Sequence, residues 1–216
     1  MIVERTWNRL GLPPARASAF PSEMRSARPN VGPHLRSLLV RIVRALRLLA
    51  LFVGAVATHA WAEEVRLPVP GGGALVLPVP DGWASTKRTG RVPTVSLTSS
   101  SGGSFQVLVS PLLAADGRLA EASPDMLRRS VEGAADQAKS QSVEKSLPIQ
   151  SFGSGKVQGN YFSATDRAPK PGEYKYLTQG SMSVSGMPVG FTILSNGDPQ
   201  AVAVPALRML AAARRE

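Results

Sequence analysis

Cysteine is absent from the 216 residues, and histidine occurs only at His34 and His59. The first absence excludes disulfides, thiolate nucleophiles, Cys-ligated zinc and anchoring through an acylated cysteine. The second leaves residues 63–216 without an imidazole, so nucleophile–His–acid catalysis has no base there beyond Lys, Asp, Glu or Tyr. Acidic residues are scarce in one region only. The chain carries a formal charge of +10, but residues 1–62 hold nine Arg against two Glu, and residues 63–216 hold 16 basic and 13 acidic side chains. The excess charge therefore belongs to a leader. An Arg-rich segment can grip phosphates, but a patch lost on processing does not give the remaining domain a nucleic-acid role.

Long apolar runs are also missing. Leu48 to Thr58 is uncharged for only eleven residues, too short for a bilayer core of about 30 Å. Arg36, Arg41, Arg44 and Arg47 precede it and Ala60-Trp61-Ala62 follows. A charged start, a short apolar run and a small-x-small site make residues 36–62 a signal peptide with cleavage expected after Ala62, Ala55-Val56-Ala57 being the alternative site. No stable membrane span is expected after cleavage, and the address is periplasmic or secreted. Residues 1–35 are Arg-rich, acid-poor and interrupted by Pro13, Pro14, Pro21, Pro29 and Pro33, which reads as a disordered extension. Either the true start lies downstream, which is the preferred reading, or the segment is an organelle transit peptide.

What is abundant after residue 62 is punctuation: 17 glycines and 13 prolines among 154 residues, falling between short apolar runs. Residues 63–216 therefore read as one domain of many strands. Val65–Val69 and Ala74–Val79 flank Pro70-Gly71-Gly72-Gly73, with Pro68, Pro78 and Pro80 suited to edge or terminal positions. Asp81-Gly82 turns the chain into Trp83. Thr94–Thr98 and Phe105–Val109 alternate as a hairpin across Ser99–Gly103. Leu147–Phe152 and Val157–Thr165 are two further strands.

The strongest pattern lies in the run from Tyr174 to Gly197. A two-residue turn at Ser185-Gly186 pairs Val184 with Met187, Met182 with Val189, Gly180 with Phe191 and Thr178 with Ile193. One face is then apolar, and Gln179, Ser181, Ser183 and Thr192 make the other polar. A one-residue slip would send the apolar set to water, so the register is well specified. Gly180 leaves room for the Phe191 ring.

Two helices complete the order. Ser123-Pro124-Asp125 is an N-cap, a first-position proline and a first-turn carboxylate, followed by a stripe of Leu127, Val131, Ala134, Ala135 and Ala138 to about Ser140. Asp198-Pro199 starts the second, with Ala203, Leu207, Leu210 and Ala211 as its expected buried side and Pro205 as a kink or a delayed start. Strands, helix, more strands, helix predict an α+β domain with an antiparallel sheet of about six to eight strands and both helices packed on it.

Chemical motifs are few. Ser142-Val143-Glu144-Lys145 has the S-x-x-K spacing by which a lysine can activate a serine, but no S-D-N or K-T-G follows. Gly153-Ser154-Gly155-Lys156 lacks the remaining phosphate-loop residues and a following helix, and reads as a strand-to-strand turn. Asp81, Asp116, Asp125, Asp136, Asp166 and Asp198 are scattered, so no metal or cofactor site is expected. The candidate partner-binding residues are Trp83, Lys87, Arg88 and Arg91, read as a Trp beside a basic loop. Arg167, Lys170 and Tyr174 join them from a long polar loop at 166–174.

Leu75-Val76-Leu77-Pro78-Val79-Pro80-Asp81-Gly82-Trp83, a strand running into a P-x-G-W turn, resembles the opening of the PsbP-like fold superfamily, which includes bacterial envelope proteins of the DcrB type. The late hairpin and the terminal helix around Ala206-Leu207-Arg208-Met209-Leu210 fit that outline. The resemblance implies an α/β/α sandwich whose members act through protein partners rather than by catalysis. The acylated cysteine of bacterial lipoprotein members has no counterpart here. The function expected is that of an exported envelope accessory or binding protein with an envelope protein as partner. The alternative is a small periplasmic hydrolase using carboxylates or the Ser142–Lys145 pair.

Overall fold

The computed structural model describes residues 61–216 apart from Ala122. The extension at 1–35 and most of the signal segment at 36–62 lie outside the described residues. Among the described residues ten strands and two helices follow one another: β1 (Trp61–Pro68), β2 (Ala74–Pro80), β3 (Trp83–Arg88), β4 (Thr94–Ser99), β5 (Phe105–Pro111), α1 (Pro124–Lys139), β6 (Gln150–Ser154), β7 (Val157–Thr165), β8 (Tyr176–Val184), β9 (Met187–Ser195), α2 (Pro199–Ala211) and β10 (Arg214–Arg215). A seven-stranded antiparallel sheet has the order β3-β4-β5-β9-β8-β7-β6, and β1-β2-β10 form a second, three-stranded sheet. The class is α+β, as the alternation of strand and helix signals predicts.

The β8–β9 hairpin has the register that its apolar alternation demands: Val184 opposes Met187, Met182 opposes Val189, Gly180 opposes Phe191 and Thr178 opposes Ile193. Its turn places Ser185 at φ 48° and Gly186 at φ 82°, the left-handed pair of a type I′ turn, whose twist matches that of the strands it joins. Gly180 is required. A Cβ there would stand 2.5 Å from Cζ of Phe191 and 2.8 Å from Cβ of Tyr161. The Phe191 ring meets Phe152 edge-on at 5.5 Å.

The two faces of the large sheet are covered differently. On one, Val95, Leu97, Val107, Val109, Met182, Val189, Phe191 and Ile193 meet Val65, Leu67, Leu75, Leu77 and Val79 of the small sheet together with Ala206, Met209 and Leu210 of α2. Each fully buried side chain of this kind stabilises the fold by about 1.5–3 kcal/mol. On the other face, α1 sets Val131 and Ala135 against Phe162, Ala164, Leu177 and Leu194. The Ser123 hydroxyl caps α1 by accepting the Met126 N–H at 3.2 Å. Ser181 fixes α1 to β8 by donating to the Leu127 carbonyl at 3.1 Å.

Several expectations are corrected. Lys87 and Arg88 end a strand, β3, rather than lying in a loop, because Trp83–Arg88 pairs along its whole length with β4. The strand expected from Leu147 begins at Gln150, since Leu147 and Ile149 pack against the α1 cluster instead of joining the ladder. Pro205 neither delays nor interrupts α2, which runs from Pro199 to Ala211. Its buried side is Ala203, Ala206, Met209 and Leu210, with Leu207 half-buried and Ala211 exposed, because the face turned to the sheets follows positions 203, 206, 209 and 210. Pro78 lies within β2, a strand with neighbours on both sides. The proline is accommodated because β10 pairs only with Val76 and Leu75 and stops short of it.

The outer face of the small sheet carries a charge network. Arg66 and Arg214 both lie opposite Val76, from β1 and β10 respectively, and Val76 is fully buried between them. Arg214 grips Glu64 with two hydrogen bonds, at 2.8 and 2.7 Å, and Glu216 with a third at 2.9 Å, while Arg66 pairs with Glu216. The aliphatic stems shield the apolar strand beneath while the heads stay in water.

Candidate functional site

Where α1 ends its coverage, a site begins. The helix packs on β7 and β8 and reaches Leu194 of β9, leaving the rest of that face, across β5, β4 and β3, without a helix over it. Strand alternation brings polar residues onto that face: Thr86 and Arg88 from β3, Thr94 and Ser96 from β4, Gln106 and Ser110 from β5, Thr192 from β9 and Gln179 from β8. With Leu108, Leu112 and a wall of Ser130, Val131 and Ala134 from α1, they line a groove of about 590 Å³, within the usual range for ligand clefts.

The floor is held in place by its own bonds. The Thr94 and Ser110 hydroxyls are 2.8 Å apart, and the Gln106 amide donates to Ser96 Oγ at 2.8 Å. Arg88 stands at the open end on the edge strand, and among the described residues no carboxylate pairs with it. It is the sole titratable residue lining the groove. The arrangement offers hydroxyl and amide donors and acceptors, one cation and apolar groups. Such a surface can recognise a partner, and it holds no general acid or base.

The candidate partner-binding residues fall in separate places. Trp83 is half-buried, with its ring 4.7 Å from that of Phe105, and packs on the core. Arg88 lies five positions further along β3, on the opposite face, and lines the groove. Lys87 shares the Trp83 face by alternation, and Arg91, in the turn beyond, donates to the Ala115 carbonyl at 3.2 Å. Arg167, Lys170 and Tyr174 lie in the β7–β8 loop, at the Trp83 end of the strands. Five strand spacings, about 24 Å, separate β7 from β3. Arg167 donates to the Ser142 carbonyl at 2.7 Å. The Lys170 backbone N–H donates to Glu173 at 2.9 Å. Tyr174 packs against the α1 cluster, where burial raises its phenol pKa. Arg88 is thus the one sequence-predicted residue that the groove uses.

The Ser142–Lys145 spacing produces a different contact. Ser142 is buried and its hydroxyl donates to Glu144, whose own N–H returns a bond to Ser142 Oγ at 3.1 Å. Glu144 also accepts the Thr165 N–H at 2.9 Å and the Thr165 hydroxyl at 2.7 Å. Partial burial works to raise its pKa, but these donors outweigh it and hold the carboxyl at about 2. Lys145 is exposed and makes no bond to Ser142. In the Gly153–Lys156 stretch, Gly153 and Ser154 end β6 and Gly155-Lys156 is the two-residue connection of the β6–β7 hairpin, with Ser154 opposite Val157. Among the described residues no three His, Asp or Glu side chains gather as metal ligands, and no helix is long and apolar enough to cross a membrane.

The groove itself escaped the sequence reading. The signal present was the polar alternation of Thr94, Ser96, Gln106, Ser110, Gln179 and Thr192, but only topology shows that these strands adjoin and that α1 leaves them open. Comparison of the chain with protein-family models, curated proteins and solved structures returned no match.

Proposed function

We propose that this protein is an exported accessory protein of the cell envelope, related to the PsbP-like superfamily, that acts by holding a protein partner rather than by catalysis. The observation that carries the reading is the open sheet face beside α1. It is a pre-formed groove whose lining has hydrogen-bonding side chains, apolar groups and a single cation. Rigid sheet floors of this kind position recognition groups at little entropic cost. The Arg-rich segment, short apolar run and Ala60-Trp61-Ala62 site support the address.

The test is to express the full chain with a C-terminal tag in a bacterial host, crosslink intact cells and identify the tagged species by mass spectrometry. The expected species begins at Glu63 and carries one stoichiometric partner, and Ser110→Trp, which fills the groove floor, removes that partner while leaving the melting temperature within a few degrees. An unprocessed chain overturns the address. A partner retained by folded Ser110→Trp protein overturns the assignment of the groove.

A further inference from the structure

The groove has a direction. It runs across the strands, from Arg88 on the free edge strand β3, over the hydroxyls of Thr94 and Ser96 on β4, to Ser110 and Leu108 on β5, then Leu112 and the α1 wall with Ala134. From β3 to β8 it crosses four strand spacings, about 19 Å, the reach of about six extended residues.

Its chemistry changes along that path. At the edge stands a guanidinium that no carboxylate among the described residues neutralises, in a lining with no acidic residue. An occupant with a carboxylate there gains a charge-assisted, two-pronged hydrogen bond, and an occupant with a cation meets repulsion. The middle consists of hydroxyls and carboxamides, which both donate and accept. A peptide backbone presents N–H and C=O groups in matching alternation, whereas an alkyl chain would take these groups out of water with nothing in return. Apolar groups lie further in: Leu108 on β5, Leu112 against Gly190 of β9 and Ala134 on α1, with Thr192 and Gln179 beside them. Single-stranded nucleic acid needs several cations and exposed aromatic platforms. This groove has one cation, and Phe162, an aromatic residue lining it, is fully buried.

We propose that the groove receives an extended peptide segment of the partner, oriented with an acidic residue against Arg88 and an apolar side chain within about six residues of it against Leu108, Leu112 and Ala134. The inference rests on the partner-holding function above and adds the chemistry of what is held.

The test uses the exported full chain and synthetic heptapeptides of Ser and Ala with Asp at one end and Leu at the other. Asn-for-Asp, Lys-for-Asp and Ser-for-Leu versions are compared with them, and dodecanoate serves as an alkyl probe. Binding is followed by fluorescence anisotropy or, for dodecanoate, by calorimetry. The Asp/Leu peptide should bind at least tenfold more tightly than its Asn or Ser version. Arg88→Gln should erase the preference for Asp over Asn, and Arg88→Glu should reverse it toward Lys. Equal binding of Asp and Asn peptides, an Asp preference that survives Arg88→Glu, or dodecanoate binding more tightly than any peptide overturns the proposal. The two readings fail separately. A cellular partner lost with Ser110→Trp but unaffected by Arg88→Glu keeps the groove as the partner site and removes the acidic peptide, whereas a partner unaffected by both removes both.

Discussion

Glu144 and Thr165 are joined twice, the Thr165 backbone N–H donating to Oε2 at 2.9 Å and its hydroxyl to Oε1 at 2.7 Å. With the Ser142 hydroxyl on the same carboxylate, they clamp the segment leaving α1 onto the end of β7. The antiparallel bridge at Ser142 and Asp166, made by the Val143 N–H on the Thr165 carbonyl and the Arg167 N–H on the Gln141 carbonyl, extends that clamp. The carboxyl pKa falls from an ordinary 4.5 to about 2. Its ionised form is therefore favoured by folding. That contribution is fully present above pH 4.5 and is lost as pH drops toward 2. Allowing for solvent screening, it is about 1–2 kcal/mol. Urea unfolding at pH 7 and at pH 3 should show a smaller gap between the two midpoints for Glu144→Gln than for the wild type. An unchanged gap would remove Glu144 as a source of acid sensitivity.

Gly180→Ala should cost about 1–3 kcal/mol through overpacking, because the new methyl meets the Asn160 backbone carbonyl oxygen, the Phe191 ring and the Tyr161 Cβ, of which only the ring can be trimmed by a side-chain change. Gly186→Ala in the adjoining turn has open space around the position but a φ of 82° to hold, which costs an L-residue roughly 1–2 kcal/mol. The two losses have different origins. Pairing Gly180→Ala with Phe191→Leu should recover part of its loss, and the same second change should recover none of the Gly186→Ala loss, as read by chemical denaturation.

Trp83→Ala should destabilise by about 2–4 kcal/mol, since the ring stacks at 48° on Phe105 and packs against the main core. The expected signature is a lowered urea midpoint with partner capture intact at temperatures where the variant is folded. Capture lost from a variant of wild-type stability would instead make Trp83 a contact residue.

Arg214→Ala should fray β10. The guanidinium ties β10 to Glu64 of β1 across β2, and two residues of strand hold little by themselves. Hydrogen exchange should accelerate at the amides of Ala74 and Glu216, which bond across to each other's carbonyl at 2.7 and 3.0 Å. Raised salt should produce a weaker version of the same change in the wild type, because these ion pairs are exposed.

Legibility in the sequence followed the physics of each element. The β8–β9 register could be read because Met182, Val184, Met187, Val189, Phe191 and Ile193 have one face to hide and Ser185-Gly186 can take the required left-handed turn. Helix α1 announced itself through Ser123-Pro124-Asp125, where cap, proline and carboxylate agree. Strand β3 was read as a loop because Ser85, Thr86, Lys87 and Arg88 show no buried alternation, as befits an edge strand whose polar side chains discourage further pairing. Strand β10 consists of Arg214 and Arg215 alone, too short to carry a period. The groove joins Arg88 to Gln179 and Thr192 through strand order, which nothing local to any of those residues records.

The large sheet is two meanders, β3-β4-β5 and β6-β7-β8-β9, whose strands pair with their neighbours in sequence, and the two meet along the β5–β9 pairing from Phe105–Ser195 to Pro111–Val189. Each half can zip locally, but the seam must close a long loop before any of its hydrogen bonds form. Closure of that seam is accordingly the step expected to limit refolding. A truncation such as Val107→Ala or Ile193→Ala should slow refolding, while an equal loss of stability within the β6–β7 hairpin should chiefly hasten unfolding. The groove floor spans the same seam, so the groove comes into being only when the two halves meet and is absent from either half alone.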